Sequence, residues 1–119
     1  MEIKIHTKHG KTIAEIISNK IELRRVQDAL DIMADCDYYQ ETRSIIMYKE
    51  NIIPDFFDLS TGIAGEVLQK FSTYSVRLVI IGEFNGDLSK PLRDFIHESN
   101  RTGRIGFVEN MAAAMEFLR

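Results

Sequence analysis

The sequence predicts a single α/β domain over residues 1–119: a mixed, mainly parallel sheet flanked by helices, with element order ββαβαβαβα. Three observations carry this reading. The chain opens with two stretches of alternating apolar and polar residues separated by a glycine-containing turn. It then alternates short apolar runs with segments of helical periodicity. Finally, residues 76–82, VRLVIIG, are nearly all apolar, as suits a strand buried on both faces. Alternation of strand and helix implies right-handed crossovers and parallel pairing, with the opening hairpin making the sheet mixed.

Each element follows from its local pattern. Ile3, Ile5 and Thr7 alternate with polar neighbours, the period of a half-buried strand. Gly10 supplies a tight turn, and residues 12–18 form the second strand. Leu23, Val26, Leu30, Met33 and Ala34 recur at helical spacing, so a helix is expected to run from there to about Asp37. Residues 43–49 read as a compact apolar strand. Ile63, Val67, Leu68 and Phe71 line one face of a second helix. After the strand at 76–82, Ser89 sits where an N-cap belongs and Pro91 falls in the first turn of a third helix carrying Leu92, Phe95 and Ile96. Residues 104–109 give the last strand, and Asn110 caps a final helix.

Bulk properties narrow the function. The formal net charge is −3, and Lys and Arg are dispersed, so the basic stripe of a nucleic-acid-binding domain is missing. No apolar run approaches the length needed to span a bilayer, and the charged first residues carry no signal-peptide pattern. Cys36 is the only cysteine, which excludes an intramolecular disulfide and a cysteine-based zinc site. These features point to a cytoplasmic protein without membrane or nucleic-acid partners. His6, His9 and His97 show no metal-ligand spacing, and neither a phosphate-binding glycine loop nor a nucleophile elbow is present, so no metal, cofactor or catalytic set is expected.

Two loops fall at the carboxyl ends of the third and fourth strands, where ligands of open α/β sheets gather. The first contains the stretch FFDLSTGIAGEVLQKF, residues 56–71. Asp58, Ser60, Thr61 and Gly62 there read in three ways: caps of a helix start, an anion site at a helix N-terminus, or a phosphorylation site. Upstream, Ile52, Ile53, Phe56 and Phe57 are large apolar residues in a loop. Either the loop folds back on its own core, or these residues form a partner surface, a homodimer contact or the wall of an apolar pocket. Glu83, after the fourth strand, is expected to join Asp58 on the same rim. Cys36 reads as a small core residue.

The blocks FFDLSTGIAGEVLQKF, IIGEF and LRDFIHESNRTGRIGFV resemble those of an uncharacterised bacterial family, the domain of unknown function numbered 4180. The resemblance covers nearly the whole chain and implies a small bacterial protein without a known activity. The element order is also similar to that of STAS domains, including anti-sigma-factor antagonists, in which a strand leads into an Asp-Ser-Ser-Gly motif and a helix. A kinase phosphorylates a serine of that motif. Here Asp58-Leu59-Ser60-Thr61-Gly62 stands in the corresponding place, with Leu59 interrupting the motif and residues 50–57 separating it from the strand. This resemblance implies a non-enzymatic regulatory or protein-interaction module, with phosphorylation at Ser60 or Thr61. The alternative is a small-molecule or anion-binding module using the same rim.

Overall fold

A computed structural model describes residues 1–119, apart from the side chains of Tyr39 and Gln40. It is an α/β domain with a five-stranded mixed sheet and four α-helices. The elements are β1 (Glu2–Lys8), β2 (Lys11–Ile17), α1 (Val26–Gln40), β3 (Ser44–Tyr48), α2 (Ile63–Thr73), β4 (Arg77–Ile81), α3 (Lys90–Thr102), β5 (Ile105–Val108) and α4 (Met111–Phe117). The strands lie in sequence order across the sheet. β1 and β2 form an antiparallel hairpin, closed by His9 (φ 53°) and Gly10 (φ 74°), the left-handed pair that a two-residue turn requires. The pairings β2–β3, β3–β4 and β4–β5 are parallel.

Sequential strand order combined with right-handed crossovers puts the connecting helices on one face of the sheet. That face holds the larger core, where Ile45, Met47, Leu78, Ile80 and Ile105 meet Ala29, Met33 and Cys36 of α1 and Val67 and Phe71 of α2, with Phe95 of α3 at the margin. The alternate residues Ile46, Val79 and Ile81 point the other way and pack on Ala114 and Leu118 at α4. Close packing there depends on Gly106: a Cβ at this position would lie 2.7 Å from the Phe117 ring.

The caps expected at α3 and α4 form. Ser89 Oγ accepts from Leu92 N at 3.3 Å, and Asn110 Oδ1 accepts from Ala113 N at 2.8 Å. The start of α1 differs from the expectation. Leu23 has helical spacing but lies before the helix, in a single parallel bridge to Ile52. Buried Asn51 explains why: its carbonyl accepts from Glu22 N and Leu23 N, and its Nδ2 donates to Ser18 O and Lys20 O. The chain is held extended there, and α1 begins three residues later and runs past Asp37 to Gln40.

The apolar loop after β3 folds back onto its own core. It winds through short 3-10 turns at Lys49–Asn51, Pro54–Phe57 and Leu59–Thr61. Ile52 and Phe56 are 2% and 1% exposed, and Ile53 and Phe57 pack against the same core. Ile52 and Phe56 are therefore core residues and not an exposed partner surface, while Ile53 and Phe57 stay half-buried at its margin.

Candidate functional site

The ends of β3 and β4 build a cleft between them. Tyr48 closes β3 and Ile81 closes β4. The two exits run so close that a Cβ on Gly82 would fall 2.5 Å from Lys49 Cβ. Glycine is therefore required where the backbone of one exit meets the side chain of the other. The cleft measures ≈ 520 Å³ and is open to solvent. Ile21, Ile52, Pro54 and Ile81 supply its apolar wall, and Lys49, Glu50 and Glu83 its charged rim. Of the loop's four apolar residues, Ile52 lines this cleft, from the core side.

Lys49 braces the rim. Its Nζ donates to Glu83 O at 2.8 Å and stands 5.1 Å from the Phe84 ring centre and 5.6 Å from that of Phe57. An aromatic chain continues inward from there, Phe57 to Phe84 at 6.0 Å and Phe84 edge-on to Phe107 at 5.3 Å. These contacts tie the loop after β3 to the loop after β4, so the rim is held by rings rather than by strand pairing. Beside the cleft lies a hollow of ≈ 280 Å³ containing Glu83, Asn85 and Glu109, where Asn85 Nδ2 donates to Glu109 Oε1 at 2.6 Å.

Tyr48 connects the cleft to a polar trio invisible in the linear sequence. Its hydroxyl donates to Glu15 Oε2 at 2.6 Å, and the ring N–H of His6 at Nε2 donates to Glu15 Oε1 at 2.8 Å. Register explains the meeting. Glu15 stands opposite Lys4 on β1 and Ile46 on β3, so His6 and Tyr48, two residues farther along, are its diagonal neighbours on one face. Burial pushes the Glu15 carboxyl up, but the hydrogen bonds from Tyr48 and His6 outweigh this and hold it below its ordinary value. Burial and the Glu15 carboxylate push the Tyr48 phenol up to about 12.

The hydroxyl-bearing turn lies between the loop and α2. Asp58 accepts from Ser60 N at 3.1 Å and from Ser60 Oγ at 2.6 Å, which caps the 3-10 turn at Leu59–Thr61 rather than α2 itself. The Ser60 bonds hold the Asp58 carboxyl below its usual range. Thr61 Oγ1 donates to Asp55 O at 2.8 Å and to Asp58 O at 2.9 Å, and accepts from Ile63 N at 3.3 Å. Gly62 (φ 79°) is the N-cap of α2 and brings no side-chain cap.

Sequence reasoning grouped Asp58 with Glu83. The structure instead turns Asp58 onto Ser60 and places Glu83 at the cleft with Lys49, Asn85 and Glu109. His97 sits at an exposed position of α3, and no hydrogen bond joins it to Ser60 or Asp58 among the described residues. Cys36 is fully buried, and burial raises its thiol to about 11, so it is a core residue. Among the described residues, no group of three His, Cys, Asp or Glu side chains is placed to hold a metal, and no helix is long and apolar enough to cross a membrane.

Fold and site together define a small α/β domain whose most developed surface is an open rim at the carboxyl ends of β3 and β4. The chain belongs to a family described as a domain of unknown function, DUF4180, whose model matches residues 8–118. No curated protein and no solved structure matches it.

Proposed function

We infer that this protein is a non-enzymatic regulatory or protein-interaction module with a STAS-like fold, which acts in the cytoplasm and docks a partner protein at the β3–β4 rim. The observation that carries this reading is the open cleft with an apolar wall and charged rim, joined mechanically to the hydroxyl-bearing turn. Pro54 lines the cleft, and Thr61 Oγ1 bonds the carbonyl of its neighbour Asp55. A change in the turn is thereby felt at the cleft wall. An open, partly apolar surface with charges at its edge suits a protein contact better than an enclosed ligand.

Phosphorylation of Ser60 is the switch we assign to this rim. Ser60 is exposed and its hydroxyl makes one bond, to Asp58, whereas the Thr61 hydroxyl is held by three. A phosphate brings a charge of about −1.5 to −2 at neutral pH. Beside Asp58 that charge is repelled, while the Ala64 and Gly65 amides in the first turn of α2, which Gly62 leaves without a side-chain cap, attract it. The turn would then exchange its Asp58 cap for a phosphate bond to α2.

Affinity capture from the host lysate tests the reading. Wild-type protein should retain one protein that Glu83→Arg loses and Glu116→Arg, at an exposed position of α4, keeps. Equal capture by all three, or none by any, contradicts it. A second reading, a small ligand in the same cleft, is favoured by its volume, which falls within the usual range for ligand sites, about 300–1,000 Å³.

A further inference from the structure

A second cavity lies at the opposite ends of the same strands. It measures ≈ 340 Å³ and is bounded by Arg43, which precedes β3, and Val76, which precedes β4. Leu30, Met33 and Asp37 contribute from α1, where their spacing puts them on one face. Tyr74, the C-cap of α2, closes one side with a half-exposed ring.

Of the cavity's two charged groups, both exposed, Arg43 is held in place. Ser75 (φ 55°) turns the chain sharply after α2, and Val76 N donates to Phe71 O at 2.9 Å. Arg43 Nη1 donates to the Tyr74 carbonyl of this turn at 2.8 Å. One guanidinium nitrogen is thus anchored, while the others have no protein partner among the described residues. The Asp37 carboxylate is likewise unpaired among the described residues, and it forms no ion pair with Arg43 although both line the same cavity. Opposite charges that share an apolar cavity without neutralising one another complement a ligand that carries both.

We propose that this cavity binds a small zwitterion with an apolar body, of the apolar α-amino-acid class. The ligand carboxylate pairs with the free edge of the Arg43 guanidinium, whose planar fork matches a carboxylate. The ammonium group faces Asp37, and the side chain packs on Leu30, Met33 and Val76. The volume sits at the low end of ligand sites, about 300–1,000 Å³, which favours a molecule of amino-acid size over a nucleotide. Anchoring Arg43 in advance lowers the entropy lost on binding.

The test is a titration of the full chain with L-phenylalanine and L-leucine, followed by amide NMR. Saturable shifts are expected at Leu30, Met33, Asp37, Arg43, Tyr74 and Val76. Two probes of similar shape separate the charges: 3-phenylpropionate lacks the ammonium and phenethylamine lacks the carboxylate. Each should bind at least about tenfold more weakly than phenylalanine. Arg43→Gln should reduce phenylalanine affinity by a similar factor, and Arg43→Lys should restore part of it. Asp37→Asn should abolish the preference for phenylalanine over 3-phenylpropionate while leaving the thermal midpoint unchanged. No saturable shift at millimolar probe, shifts centred on Tyr48 and Glu83 instead, or equal binding of all three aromatic probes would overturn the assignment.

Discussion

Replacing Phe56 with alanine asks directly whether the loop after β3 belongs to the core. Phe56 is 1% exposed and lies among the residues of the larger core, with its ring edge-on to Phe57 at a centre separation of 5.0 Å. Truncation removes the ring's transfer energy and leaves a cavity beneath the sheet, a loss of about 3–5 kcal/mol. A domain of 119 residues has a total stability of roughly 6–18 kcal/mol at about 0.05–0.15 kcal/mol per residue. The substitution should therefore remove a sixth or more of the total. Urea unfolding should show a lower midpoint with an unchanged slope, because the surface exposed on unfolding hardly changes. Asp55→Asn, at an exposed neighbouring position, should stay within about 0.5 kcal/mol. A Phe56→Ala loss below about 1 kcal/mol would refute the core placement and restore the loop as a surface.

Other positions make separate claims. Gly82→Ala should cost about 1–3 kcal/mol and shift the amide resonances of Lys49 and Glu83, because the new Cβ meets Lys49 Cβ at 2.5 Å. Glu15 has a lowered folded pKa, so its contribution is complete above its ordinary value of 4.5 and is lost as pH falls through the lower folded value. Urea midpoints followed downward from neutral pH should show this decline, and Glu15→Gln should remove its share of the slope. A spectrophotometric titration should find Tyr48 ionising only near 12, and Glu15→Gln should lower that value. Cys36 should react with a thiol reagent at the rate of global unfolding, and Phe56→Ala should speed that reaction.

The elements legible in the sequence were those specified by local signals. The hairpin shows as two alternating runs around Gly10, β4 as an unbroken apolar run, and α3 and α4 through the caps Ser89 and Asn110. What escaped depends on contacts distant in sequence. Leu23 keeps helical spacing with Val26 and Leu30, yet Asn51, far along the chain, holds it extended. Residues 54–57 wind through a 3-10 turn, which has no apolar periodicity to betray which side is buried. His6, Glu15 and Tyr48 meet only through sheet register, and the only sequence signal was a glutamate at an apolar strand's centre. The cavity at Arg43 and Asp37 arises where α1 and the end of α2 overhang the strands, a geometry no local pattern encodes.

If the rim docks a protein under the control of Ser60, as proposed, native and denaturing mass spectrometry of the protein purified from its own host will read both parts at once. The spectra should show a population heavier by one phosphate, mapped to Ser60, and a native complex with another protein that forms in only one of the two phosphorylation states. Unmodified Ser60 together with a chain that carries no protein partner would contradict it, and a small non-covalent adduct in the native spectrum would hand the rim to the ligand reading.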